Sequence, residues 1–156
     1  MGTIVTMGDE LKGIEEDVRF NWAGASSLER ELRSTAGTLD SQVPQRNGYA
    51  SHAREEWRGL YSRQFAQRMR ICTSDAGRLS DAMTLAANQV KELAEAARRE
   101  QDRREKARDW KRKQDDEGIL DKAGDFLFGE DDKPPIPPPE PPPHFVSPPP
   151  GTQGRE

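Results

Sequence analysis

The sequence predicts an all-α protein: an antiparallel helical hairpin with a long second helix, completed to a four-helix bundle by dimerisation, and a disordered proline-rich tail. Three observations predict this. Apolar residues recur at steps of three and four along two separate stretches. No proline, and no glycine except Gly77, interrupts residues 60–117. Eleven of the twelve prolines fall in 134–150. The expected divisions are a weakly structured N-terminal segment (1–20), the hairpin (21–117), a short amphipathic segment (118–130) and the tail (131–156).

In residues 1–20 only "IVTM" and "DVRFNW" suggest short extended pieces. From Ala25 the pattern changes. Ala25, Leu28, Leu32, Ala36, Leu39 and Val43 follow steps of 3, 4, 4, 3 and 4, one face of an amphipathic helix. Ser26, with Glu29 three residues on, has the spacing of a capping box. Pro44 lacks a backbone donor and Asn47-Gly48 favours a turn, so a break or kink is expected at 44–48. Ala50, Ala53 and Trp57 resume the same face, which implies a further helical segment before Trp57.

The second stripe is longer. Met69, Cys72, Ala76, Leu79, Met83, Ala86, Val90, Leu93 and Ala97 keep an alternation of three and four, and Tyr61 and Phe65 extend it towards Trp57. Cys72 on this stripe reads as a buried small hydrophobe. Residues 98–117 hold 16 charged residues of 20, nine positive and seven negative. Mixed signs at helical spacing suggest a solvated helix supported by i,i+4 pairs. Gly118 is expected to end it. Beyond lies "ILDKAGDFLFG", with Ile119, Ala123, Phe126 and Leu127 on a common side, and then the prolines, which favour an extended spacer.

Composition excludes several functions. Charged residues make up 33% and apolar ones 32%, with a mean hydropathy of −1.00, so core must be concentrated in the striped region. A net charge of −4 provides no basic field for nucleic acid. One cysteine and two histidines make a metal site improbable, and His52 beside Glu55 and Glu56 lacks a nucleophile or oxyanion donors. No cofactor, metal or catalytic residue is expected. No stretch reaches the roughly 20 apolar residues of a membrane span, and no basic start with an apolar run marks a cleaved signal peptide. "MGTIVT" matches the short myristoylation pattern at Gly2, a weak signal. "PPIPPPEPPP" contains P-x-x-P spacing, for which a spacer is the simpler reading.

A hairpin whose facing sides carry mainly alanine, leucine and methionine has a thin core against an ordering cost of roughly 1–2 kcal/mol per residue. A second hairpin, identical or not, would cover the other side of each stripe. Leu28, Leu32, Leu39, Met69, Leu79, Met83, Val90 and Leu93 are the candidate partner face.

Between the stripes stands "EEWRGLYSRQF", residues 55–65. Gly59 would allow a tight turn or a close backbone approach. Trp57 could fill the end of a bundle, with Tyr61 and Phe65 continuing the packing. A first helix with "LERELRSTAGTL", then Trp57-Arg58-Gly59, then "LYSRQF" opening a long helix, resembles the Trp-X-Gly family of type VII (ESX) secretion proteins. The run "DAGRLSDAMTLAANQVKELAEAARREQDRREKARDW" and the proline tract resemble the N-terminal targeting region of actinobacterial type VII substrates. The resemblance covers about residues 20–130. It implies a hairpin that homodimerises or heterodimerises and is read by type VII secretion machinery, with Trp57, Gly59, Tyr61 and Phe65 as the turn and secretion motif. It also implies export without a cleaved signal peptide. The alternative is a cytoplasmic coiled-coil adaptor or chaperone for an effector.

One departure stands out. The family's Tyr-X-X-X-Asp/Glu export element after the second helix has no counterpart, because Tyr49 and Tyr61 both come too early. Phe126 with Glu130, and Phe128 with Asp132, are the nearest surrogates for it.

Overall fold

A computed structural model of the chain describes residue 11, residues 13–120 (116–120 by backbone alone) and residues 136–147. Two helices make up its regular structure: α1, Trp22–Ala53, and α2, Leu60–Leu120. Among the described residues there is no strand. The fold is the expected all-α hairpin.

α1 begins earlier than the Ser26–Glu29 capping-box spacing suggests. The cap is Asn21, whose Oδ1 accepts from Gly24 N at 2.8 Å while its carbonyl accepts from Ala25 N at 2.9 Å. An Asn at this position satisfies donors that the first helical turn leaves open. Ser26 therefore lies inside the helix. α1 also runs through Pro44 without a break, so of the two expectations there the ending of the helix is excluded. Proline removes one helical donor at a cost of about 3 kcal/mol, and the flanking seam residues Ala36, Leu39, Val43 and Ala50, all buried or half-buried, supply the opposing packing. α2 likewise runs past Gly118 rather than ending there.

The chain divides into two compact units, Met1–Phe20 with Leu93–Pro143, and Asn21–Glu92 with His144–Glu156. The second contains the hairpin. Its helices are antiparallel: Arg33 Nη2 donates to Asn88 Oδ1 at 2.8 Å, Ser80 Oγ to the Ala36 carbonyl at 3.3 Å, and Thr73 Oγ1 to Asn47 Oδ1 at 2.9 Å. Ala36 on α1, and Ser62, Ala66, Ala76, Ser80 and Ala87 on α2, are its buried residues. Small side chains let two backbones approach closely, and the Ser80 hydroxyl is satisfied by a carbonyl of the facing helix.

In the other unit, Ile14, Ala107 and Ile136 form a buried cluster with Leu11 and Trp110 packed on it. Asp17 Oδ1 accepts from Gln101 Nε2 at 2.9 Å and from Arg108 Nη2 at 2.6 Å, while Val18 N donates to Gln101 Oε1 at 2.8 Å. Residues 136–147 form neither helix nor strand. Within this unit, Ile136 sits with Ala107, and Arg99 Nε donates to Glu140 Oε2 at 3.1 Å. The four steps of extended chain from Ile136 to Glu140 span about 12 Å, and the eight helical steps from Arg99 to Ala107 also span about 12 Å. The segment thus lies antiparallel to this part of α2, rise matched to rise.

Candidate functional site

The turn is built from Arg54 to Gly59. Arg54 N donates to the Ser51 carbonyl, Glu55 N to that of His52 and Trp57 N to that of Arg54, at 3.0, 3.1 and 3.3 Å. Gly59 has φ +99°, and its carbonyl accepts from Arg63 N at 3.3 Å to start α2. A Cβ there would meet nothing within 4 Å, so the demand for glycine comes from backbone conformation and not from a close approach within the chain. Arg58 Nη1 donates to the carbonyls of Arg54 and Trp57 at 3.2 and 3.4 Å, covering the end of α1.

Trp57 and Phe65 are brought together, with ring centroids 5.5 Å apart and planes at 49°. Trp57 is nevertheless 41% exposed, and Tyr61 is exposed at 72%. Sequence reasoning grouped these four residues, and the structure separates the roles: Gly59 turns the chain, Trp57 and Phe65 pack, and Tyr61 is free surface.

The candidate partner face is divided. In the hairpin unit, Leu28 and Leu79 remain 50% and 49% exposed, whereas Leu32, Leu39, Met69, Met83 and Val90 are half-buried. Cys72 is exposed, contrary to expectation, because the seam towards α1 at this turn of the helix passes through Thr73, one residue on. Leu93 belongs to the other unit, where it lines a cavity of about 440 Å³ with Val18, Phe20, Ala96 and Ala97 beneath Pro137–Pro143. Phe126, Phe128 and Glu130 lie outside the described residues.

Beside that cavity, Glu100 accepts from Arg103 Nε at 2.7 Å and Arg104 Nε at 2.8 Å. The Arg103 hydrogen bonds chiefly, against a partial opposing effect of burial and with help from Arg104, hold its carboxyl at about 2. Asp17 is also held below the usual carboxylate range, first by the Gln101 hydrogen bond and then by Arg108.

Sequence reasoning missed the hydroxyl-bearing seam positions Thr73 and Ser80, the groove under the tail and an arginine-lined groove near the turn. Only the last left a readable signal: residues 41–74 contain six arginines and two glutamates. Among the described residues no group of three or more His, Cys, Asp or Glu could hold a metal ion, and no helix is long and apolar enough to cross a membrane. No family model, no curated protein and no solved structure matches the chain.

Proposed function

We propose that the protein is a type VII secretion substrate, or the targeting module of one, that works by pairing with a second helical hairpin and being recognised at its turn. The observation that carries this reading is the Trp57-Arg58-Gly59 turn, a glycine-dependent reversal between two antiparallel helices that leaves an indole partly open to solvent. Leu28 and Leu79, half-exposed on the hairpin, give a partner apolar surface to cover. The resemblance to the Trp-X-Gly family supplies the link from this geometry to export. In this reading the chain leaves the cell without a cleaved signal peptide and acts by binding, not catalysis.

The test is export from a host with a working type VII system, comparing the parent chain with a Trp57→Ala, Gly59→Ala variant of equal helicity by circular dichroism. The reading expects the parent in the medium and the variant retained. Retention of both, with the native partner co-expressed, would remove it.

A further inference from the structure

The turn half of the hairpin unit carries a charge opposite to that of the chain. Residues 41–74 hold six arginines against two glutamates and no lysine or aspartate, a net +4; a chain total of −4 leaves −8 elsewhere. Within this region the two helices border an open groove of about 400 Å³. Arg54 comes to it from the cap at the end of α1 and Arg70 from α2, and none of its lining residues is acidic. The Asn47–Thr73 hydrogen bond, 2.9 Å, ties the two helices together here.

The arginines are also unsatisfied. Nε of Arg54, and Nε and Nη2 of Arg46, are buried with no acceptor. Among the described residues no carboxylate pairs with either guanidinium. A buried guanidinium N–H without an acceptor forfeits hydration and receives nothing for it. The guanidinium groups of Arg54 and Arg70, both on the groove wall, can donate to an oxyanion, and a carboxylate matches the planar fork of arginine. The carbonyls at the C-terminal end of α1 would oppose an anion, but Arg58 already donates to that of the cap residue Arg54.

We propose that this groove binds an acidic segment of a partner polypeptide, with a carboxylate seated between Arg54 and Arg70. A polypeptide fits better than a small anion for two reasons. From Asn47 to Arg54 the wall spans about 10 Å of helix, and Ala50, Ala66 and Met69 offer apolar surface that a lone phosphate would leave uncovered. The inference is independent of the export reading, since it concerns charge at one end of the hairpin.

The experiment titrates the ¹⁵N-labelled full chain with three probes at matched ionic strength: a blocked helical peptide of Glu, Leu and Ala, the same peptide with Gln for Glu, and sodium phosphate. The Glu peptide is expected to shift the amide resonances of Ser51, Arg54, Arg70 and Ser74 and to bind at least tenfold more tightly than the Gln peptide. Arg54→Gln should abolish that preference. Because Arg54 is partly buried, the exposed Arg70→Glu serves as a second variant and should do the same at unchanged helicity. Equal binding of the two peptides, or shifts confined to other residues, overturns the proposal. Phosphate giving the same shifts, with no preference for the Glu peptide, also overturns it in favour of a small-anion site.

Discussion

Trp57 and Phe65 face each other across the start of α2, ring centroids 5.5 Å apart and planes tilted by 49°. A tilted pair at this distance contributes roughly 0.5–1.5 kcal/mol beyond the area it buries. A double-mutant cycle of Trp57→Ala and Phe65→Ala, read by urea denaturation, should return a coupling energy in that range. Strict additivity of the two variants would show that the rings are neighbours without being partners.

Glycine to alanine should have opposite signs along this chain. Gly59→Ala forces a side chain onto φ +99° and is expected to cost about 1 kcal/mol or more. Gly37, Gly48 and Gly77 lie inside helices with open space at the Cβ position, so each change to alanine should add about 0.5–1 kcal/mol. Denaturation midpoints of the four single variants test the ordering directly.

Pro44→Ala should stabilise α1. It restores a helical donor worth up to about 3 kcal/mol of interior penalty, less the 0.4–1 kcal/mol or so by which proline restrains the unfolded chain. The net expectation is a gain of about 2 kcal/mol with no change in helix boundaries. A loss of stability would mean that the local geometry at Pro44 is required by the packing of Ala36, Val43 and Ala50.

Acid should weaken the unit that contains Glu100. Its folded-state value of about 2 lies below its ordinary 4.5, so its contribution is complete above about 4.5 and is lost as pH falls towards 2. The paired side chains keep part of their surface in water, which limits the effect to the order of 1 kcal/mol. Asp17 acts with the same sign. Urea midpoints between pH 5 and 2 should fall more steeply for the parent than for Glu100→Gln; parallel slopes would assign the acid loss to other carboxylates.

The tail should be held more by burial than by charge. Ile136 is buried against Ala107, and burying such a side chain contributes about 1.5–3 kcal/mol. The Arg99–Glu140 pair is largely exposed and contributes roughly 0.2–1 kcal/mol. The indole N–H resonance of Trp110, which packs on the cluster, should therefore move strongly in Ile136→Ala and slightly in Glu140→Ala.

The periodicity of the chain conveyed the hairpin and part of its seam: Ala36 and Ala76 on the expected stripes are buried. Cys72 and Leu79 on the same stripe are exposed, whereas Thr73 and Ser80, one residue on from each, hydrogen-bond to α1. A hydroxyl that can donate to a facing carbonyl or amide is as good a seam residue as alanine, and no hydropathy count records this. Asn21 was similarly overlooked as a cap, because Ser26 and Glu29 offered the more familiar spacing. Trp57, Gly59 and Phe65 were legible because a turn glycine followed by aromatics has few other readings. The tail's lodging could not be foreseen, since proline composition reports stiffness and says nothing about what lies alongside.

The residues buried within the hairpin are alanines and serines, and the largest fully buried side chain among the described residues, Ile14, belongs to the other unit. Unfolding such a seam exposes little hydrocarbon, so its heat-capacity increment and denaturant m-value should fall below those usual for its length. Its melting should accordingly be broad. A partner covering Leu28 and Leu79 would sharpen that transition, and calorimetry alone would then distinguish the paired hairpin from the solitary one.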